Sequence, residues 1–455
     1  MIKALFSILL MFAVISCTNP TKKVEVIDLP TTSSPPDWAK NTSIYEVNIR
    51  QYTPEGTINA FSEHLDSVKT LGTDIIWLMP IFPIGAKNHK GELGSAYSVK
   101  DYRAVNPDLG TMADLQALVT KAHSMDMHVI LDWVANHTSW DNKLTKSHRN
   151  WYHLDDKGNF TPPVADWSDV IHLNYEKKGL RKYMIESMKF WLDSADVDGF
   201  RCDVAKMVPT DFWEEARKEL DKVKPVFMLA EAEQADHLDY AFDMNYGWEL
   251  YHIINEIAQG KKDVTHLTEY LKKYKTTYGP NAYRMNFITN HDENSWNGTI
   301  NERLGDAEYA MAGLIATLPG MTLIYSGQEV GLDKRLSFFD KDSIEWNENK
   351  FRPFYRTLLQ HKKHNHALWN GEAGGEMKTV TTTAPTKIFA FTREKDDDKV
   401  LAIFNFSSEP TSFEFTDKVN TDGLEDLFNH GAKDKLSNSP MVMTSWDYII
   451  LTNKR

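Results

Sequence analysis

The sequence predicts an α/β protein: a closed (β/α)8 TIM barrel, a small domain B inserted after the third strand, and a C-terminal antiparallel β-sandwich. Three patterns predict it. Between residues 38 and 374, about eight short β-branched apolar runs alternate with amphipathic stretches, the rhythm of βα units in a parallel sheet. The interval between the third and fourth runs is long. From residue 375 strand-like runs follow one another without intervening helices.

The expected barrel strands are residues 44–49, 74–79, 128–134, 197–204, 226–231, 240–244, 285–289 and 322–325. In a barrel of this kind the reactive groups gather at the C-terminal ends of the strands. The barrel is assigned residues 38–135 and 175–374. Residues 136–174 carry Trp140, Trp151, Tyr152 and Trp167, which fits a small excursion over the barrel mouth. Residues 375–455 form the last domain, with strands expected at 387–393, 400–406, 411–415 and 446–451.

The N-terminus reads as an address rather than as structure. In MIKALFSILLMFAVISC a lysine precedes an apolar run too short to span a bilayer but suited to the h-region of a secretion signal. The run ends in Val14-Ile15-Ser16-Cys17, which resembles the lipobox of bacterial lipoproteins. That resemblance implies cleavage at residue 17 and lipidation of Cys17; the other reading is an ordinary signal peptide with an incidental cysteine. Residues 18–37, rich in Thr, Ser and Pro, read as a flexible tether. The expected location is an exported lipoprotein, on a periplasm-facing membrane or the outer cell surface, with membrane contact through the lipid anchor alone. Cys202 is then the one cysteine left, so no disulfide can form within the mature chain.

Composition narrows the partners. A formal net charge of −13 argues against nucleic acid, whose binding needs clustered Lys and Arg. The 13 tryptophans suit either a large core or flat surfaces for sugar rings.

Polar groups at the expected strand ends carry the chemistry. The third strand, HVILDWVANH, ends with Asp132, Asn136 and His137; the fourth, VDGFRCDVAK, carries Arg201 and Asp203 on one face. An adjacent fixed cation is expected to keep Asp203 ionised and nucleophilic. The fifth, PVFMLAEAE, ends at Glu231 after an apolar run, a setting that raises a carboxylic acid's pKa and keeps it a proton donor. The seventh, MNFITNHDEN, delivers His291 and Asp292. Singly, each has a plainer reading: Asp132 bracing a loop, Arg201 with Asp203 as an ion pair, Glu233 as the acid instead of Glu231, His291 as a core histidine. Their conjunction at one rim is what points to catalysis.

Residues 132–137, 199–203, 231 and 287–292 resemble, in order and spacing, the four signature regions of the α-amylase family, glycoside hydrolase family 13. Two flanking regions agree: GSAYSVKDYRAVNPDLGT around Tyr97 and LPGMTLIYSGQEVGL at 318–332. The resemblance implies a retaining hydrolase of α-1,4-glucosidic bonds in starch-like α-glucans or maltooligosaccharides. It makes Asp203 the nucleophile, Glu231 the acid/base and Asp292 the third carboxylate, with the two reacting carboxyls about 5 Å apart. It also makes Arg201 the group orienting Asp203, His137 and His291 partners of sugar hydroxyls, Tyr97 a stacking platform, and Lys206 a contact on the leaving-group side. Trp296 is a further stacking candidate or a packing residue. No cofactor is needed for this chemistry. A structural calcium is possible through Asn136, but the position where relatives place an aspartate is His172 here. Cyclomaltodextrinase or neopullulanase activity, α-1,6-glucosidase activity and transglycosylation remain open within the family. A catalytically inactive glucan-binding protein is the alternative of another class, set against it by the presence of all three carboxylates.

Overall fold

Alternation within the short apolar runs decides which way each side chain faces, and eight of the runs close into one parallel ring. The computed structural model describes residues 34–279, 281–347, 349–428 and 440–453. Cys17, the signal segment and most of the tether lie outside the described residues. The barrel strands are β1 (Ile44–Val47), β2 (Ile75–Leu78), β3 (His128–Trp133), β4 (Gly199–Cys202), β5 (Phe227–Ala230), β6 (Met244–Tyr246), β7 (Tyr283–Asn286) and β8 (Met321–Tyr325). Every neighbour in the ring is parallel, and β8 pairs with β1 to close it.

Inward positions such as Ile44, Ile75, Trp77, Ile130, Phe227 and Leu229 fill the barrel, while Tyr45, Ile76, Leu78, Leu131, Phe200 and Met228 turn outward against the helices. The inward alternation continues into charged residues near the strand ends. Glu46, Asp132 and Arg201 are wholly buried, and Asp132 is in register with Arg201. This is how the sequence places charge inside the barrel at its C-terminal rim.

The helices follow from periodicity and caps. Lys178–Ala195 buries Leu180, Met184, Met188, Trp191, Leu192 and Ala195 along one stripe and stops at Asp196, whose left-handed backbone ends the helix. Met112–Ser124 starts at a capping box of Thr111 with Asp114.

Three strands sit differently from expectation. The sixth is Met244–Tyr246 rather than 240–244, because His237–Tyr240 forms a helical turn and Phe242 packs in the helix layer. The seventh is Tyr283–Asn286 rather than 285–289, so residues 287–292 have left the sheet and form the rim. The fourth ends at Cys202; Val204, expected in that strand, has left-handed backbone at φ 36°.

After β3 the chain makes a two-stranded antiparallel ribbon, His137–Ser139 with Val170–His172. Beyond the barrel, β9 (Glu376–Val380), β10 (Ile388–Lys395), β11 (Asp398–Asn405), β12 (Thr411–Phe413), β13 (Glu425–Asp426), β14 (Met441–Met443) and β15 (Tyr448–Thr452) form two sheets. The larger runs β9-β10-β11-β15-β13, and β12 pairs with β14. Ile388, Leu401, Ile403, Phe413, Met441 and Met443 pack between them, so the sandwich is lopsided. The opposite face of the large sheet, with Phe389, Phe391 and Phe404, packs against the barrel's own helices. Gly313, in the helix Glu308–Thr317, makes room for it: a Cβ there would lie 3.3 Å from the Phe404 ring.

Gly199 is the tightest point of the ring, since a Cβ would fall 1.9 Å from the carbonyl oxygen of Phe227 on β5. Gly199→Ala is expected to destabilise the protein by about 3 kcal/mol through forced separation of β4 and β5, read as a lowered urea midpoint.

Candidate active site

Arg201 organises the rim. Its guanidinium is fully buried, and burial of a charge is tolerated only with partners. Nη1 donates to both carboxylate oxygens of Asp132 at 3.0 and 3.1 Å and to Oδ1 of Asp203 at 3.1 Å. Nη2 lies 3.0 Å from Oε2 of Glu231, a charge contact without the directed geometry of a hydrogen bond. Nε donates to the Tyr246 hydroxyl at 3.1 Å. One cation thus holds carboxylates from β3, from the turn after β4 and from the end of β5.

Glu231 is fixed from a second side. The backbone N–H of Val204 donates to its Oε2 at 2.6 Å. Left-handed backbone at a β-branched residue costs of order 1–3 kcal/mol, and here it turns that N–H toward the acid. Oδ2 of Asp203 has no hydrogen-bond partner.

A second chain of contacts runs along the rim. Glu46 Oε1 lies 2.5 Å from His291 Nδ1, His291 Nε2 is 2.7 Å from the Tyr97 hydroxyl, and that hydroxyl donates to Oδ2 of Asp132 at 3.0 Å. Asp292 Oδ2 is 3.4 Å from His291 Nε2.

Carboxylates are in excess: among the described residues, Glu46, Asp132, Asp203, Glu231 and Asp292 share Arg201 and His291 as their direct ion-pair partners. Burial and then Glu231 push Asp203 upward, with Arg201 pulling it down; burial also raises Glu231, Asp132 and Glu46. Arg201 does lie beside Asp203 as expected, at 3.1 Å, and pulls it down, but burial and Glu231 oppose that pull. The cation is divided among three carboxylates, and Asp203 with Glu231 titrates as a pair whose upper step is raised. Burial pulls His291 down, but Asp292 and Glu46 outweigh it and lift the imidazole to about 9. His137 goes the other way, to about 3, through burial and then His172, so it is neutral.

A cavity of about 650 Å3 opens above these groups, lined by Tyr97, His137, Asp203, Glu231 and Asp292. Arg201 lies beneath it, and His291 beneath Tyr97, whose ring it parallels at 5.4 Å. A second hollow of about 530 Å3 shares Val204 and Glu231 with the first and is lined by the exposed Lys206 together with Glu233 and Trp248. Glu233 binds Arg284 at 2.7 Å, which leaves Glu231 as the carboxylate bordering both hollows. Trp296 is 53% exposed on the first cavity's wall.

The sequence reading missed Glu46, Trp77, Tyr246, Phe338 and Phe339. Glu46 had a signal, a lone carboxylate in an apolar strand; Phe338 and Phe339 stand in a loop without periodicity.

The donor set for a calcium ion does not fit. Oδ1 of Asn136 is buried without a partner. His172, which pairs across the ribbon with His137, is held neutral by burial and by His153 with a pKa of about 4, and an imidazole nitrogen is a poor ligand for a hard cation. Among the described residues no group of three or more His, Cys, Asp or Glu side chains is arranged to hold a metal.

Carboxylates clustered on one guanidinium, bordered by aromatic rings at the mouth of a TIM barrel, define a glycosidase-type site. Residues 31–404 match the α-amylase catalytic domain. The chain is 26% identical over 395 residues to an α-amylase of Haloarcula japonica, covering 83% of this chain but 57% of that protein. It is 24% identical over 428 residues to a cyclomaltodextrinase of a Bacillus species, covering 82% and 74% respectively. Its fold is similar to the crystal structure of a maltogenic α-amylase from Thermotoga neapolitana, with a TM-score of 0.81, 28% identity, and 91% and 99% of the two chains covered. The chain belongs to the α-amylase family and is a glycoside hydrolase.

Two outcomes test the electrostatics. Arg201→Met leaves three buried carboxylates uncompensated and should cost about 3–5 kcal/mol at neutral pH. The deficit in denaturant midpoint should shrink in acid, where those carboxylates take up protons. His291 keeps its proton to about pH 9, against about 6.5 for a free imidazole. Its contribution to stability is thus complete below about 6.5 and lost as pH rises through about 9. Glu46→Gln should move that alkaline loss to lower pH, seen by following the unfolding midpoint across the range.

Proposed function

We propose that the enzyme hydrolyses α-1,4-glucosidic bonds of starch-like α-glucans or maltooligosaccharides by double displacement. Asp203 is the nucleophile, Glu231 the acid/base and Asp292 the carboxylate that stabilises the charged transition state. The observation that carries this reading is that one guanidinium holds Asp203 and Glu231 side by side, while Oδ2 of Asp203 keeps its lone pairs free. The mechanism requires the pair's proton on Glu231 and an ionised Asp203, which accepts the directed bond from Nη1 at 3.1 Å.

In the first step Glu231 gives its proton to the glycosidic oxygen, Oδ2 of Asp203 bonds to the anomeric carbon, and the leaving sugar departs as an alcohol. In the second, Glu231 takes a proton from water, whose oxygen displaces Asp203 from the same carbon. Two inversions retain the α configuration. The growing positive charge on the ring faces Asp203 and Asp292. Tyr97 offers a flat wall to the sugar, and neutral His137 can accept or donate to a hydroxyl. Lys206 meets the leaving sugar in the second hollow, with which Glu231 shares the boundary.

A second reading, action on cyclic maltooligosaccharides, is favoured by the likeness to the Bacillus cyclomaltodextrinase. The N-terminal sequence supports export as a lipoprotein held by Cys17.

Timed product analysis on soluble starch, pullulan, a cyclodextrin and isomaltose, with the product anomer read by NMR, tests both readings. Wild type should release α-anomers first, and Asp203→Asn should lose at least about 10³-fold in kcat. Unchanged turnover in Asp203→Asn would remove that residue from the mechanism. Glu231→Gln should retain far more activity on an aryl α-glucoside with an acidic leaving group than on starch, since such a group needs no proton.

A further inference from the structure

Lys90 stands on the loop after β2 and touches two other segments distant in sequence. Its Nζ donates to the backbone carbonyl of Asp166 at 2.6 Å and lies 3.5 Å from Oδ1 of Asp169, both on the ribbon excursion after β3. It also sits 5.9 Å from the ring centre of Phe339, on the loop after β8. Its own loop is fastened there: Leu93 N–H donates to the Phe339 carbonyl at 3.1 Å, and Glu92 N–H to Oδ1 of Asp340 at 2.5 Å. Gly91, at φ 65°, approaches so closely that a Cβ would lie 2.4 Å from that of Phe339. Lys90, Asp166, Asp169 and Phe339 all line the cavity that holds Asp203, and none lines the second hollow.

We propose that this bridge through Lys90 closes the nucleophile-side cavity at the end not shared with the second hollow. It would then set how many glucosyl units fit ahead of the cleaved bond, so that the enzyme trims short oligosaccharides from chain ends instead of cutting within the polymer. The inference rests on the roles proposed for Asp203 and Glu231. Glu231 and Val204 border both spaces, so the scissile bond crosses there: the sugar attacked by Asp203 lies in the first cavity and the leaving chain in the second. An internal cut needs an open path on both sides; a chain end needs only one. The first cavity, about 650 Å3, has room for about two or three sugar rings. Aromatic rings of Trp167, Trp296, Phe338 and Phe339 wall it, surfaces that bind sugar faces without demanding a continuing chain.

The test compares wild type, Lys90→Ala and Phe339→Ala on long-chain amylose, reading early product lengths by chromatography against loss of iodine colour per reducing end. Lys90 is about a third exposed, so its truncation leaves the core intact. Early products of wild type should be di- and trisaccharides. Both variants should release longer oligosaccharides and raise colour loss per cut by about tenfold. Long early products from wild type, or unchanged profiles in both variants, overturn the inference while leaving the activity standing. No cleavage of any glucan by wild type overturns the activity reading and this one with it.

Discussion

A guanidinium with no exposed surface sits at the centre of this molecule, and much of the rim is arranged to make that tolerable. Removing such an ion from water costs several kcal/mol even after relaxation. Arg201 recovers it from Asp132, Asp203 and Glu231, which must therefore converge from neighbouring strands. Convergence requires the strands to be in register, and the β3–β4 pairing sets Asp132 directly beside Arg201. Register in turn requires the close approach of β4 to β5 that Gly199 allows. Chemistry and architecture are thus tied at one side chain.

The surplus of negative charge is the functional residue of this arrangement. A core built only for stability would balance its ions, whereas here carboxylates outnumber their cationic partners and burial raises Asp203, Glu231, Asp132 and Glu46. His291 shares in the balance as a cation sandwiched between Glu46 and Asp292. It does so from beneath Tyr97, which makes it a positioning group for that ring and a regulator of the local field.

Much of the barrel was legible because alternation and strand length are local properties, and the carboxylates were legible because they interrupt apolar runs at the ends where they matter. What escaped was governed by tertiary packing. Phe242 looks like strand but packs beside a helical turn, and residues 287–289 look like strand but belong to the rim. Glu46 was readable in principle; Tyr246 and Trp77, which contact Arg201 through a hydroxyl and a ring face, look like any core aromatics in sequence. Lys90 and Phe339 lie in loops, where no period reveals a partner. The burial and the neighbouring Glu231 that raise Asp203 depend on how three strands pack, which no single motif contains.

The C-terminal sheet has a bearing on how this protein divides into units. Its large sheet is apolar on both faces, one turned to the small sheet and the other to the barrel helices. Arg393 on β10 reaches across to the carbonyls of Thr317 and Leu318 at 3.1 and 3.2 Å, satisfying the end of a barrel helix. A chain ending before β9 would leave that helix without its terminal donor and its outer face wet. In evolutionary terms the sheet is not a detachable module that recombination can trade freely; it serves as part of the barrel's outer wall, and the two are expected to be inherited together.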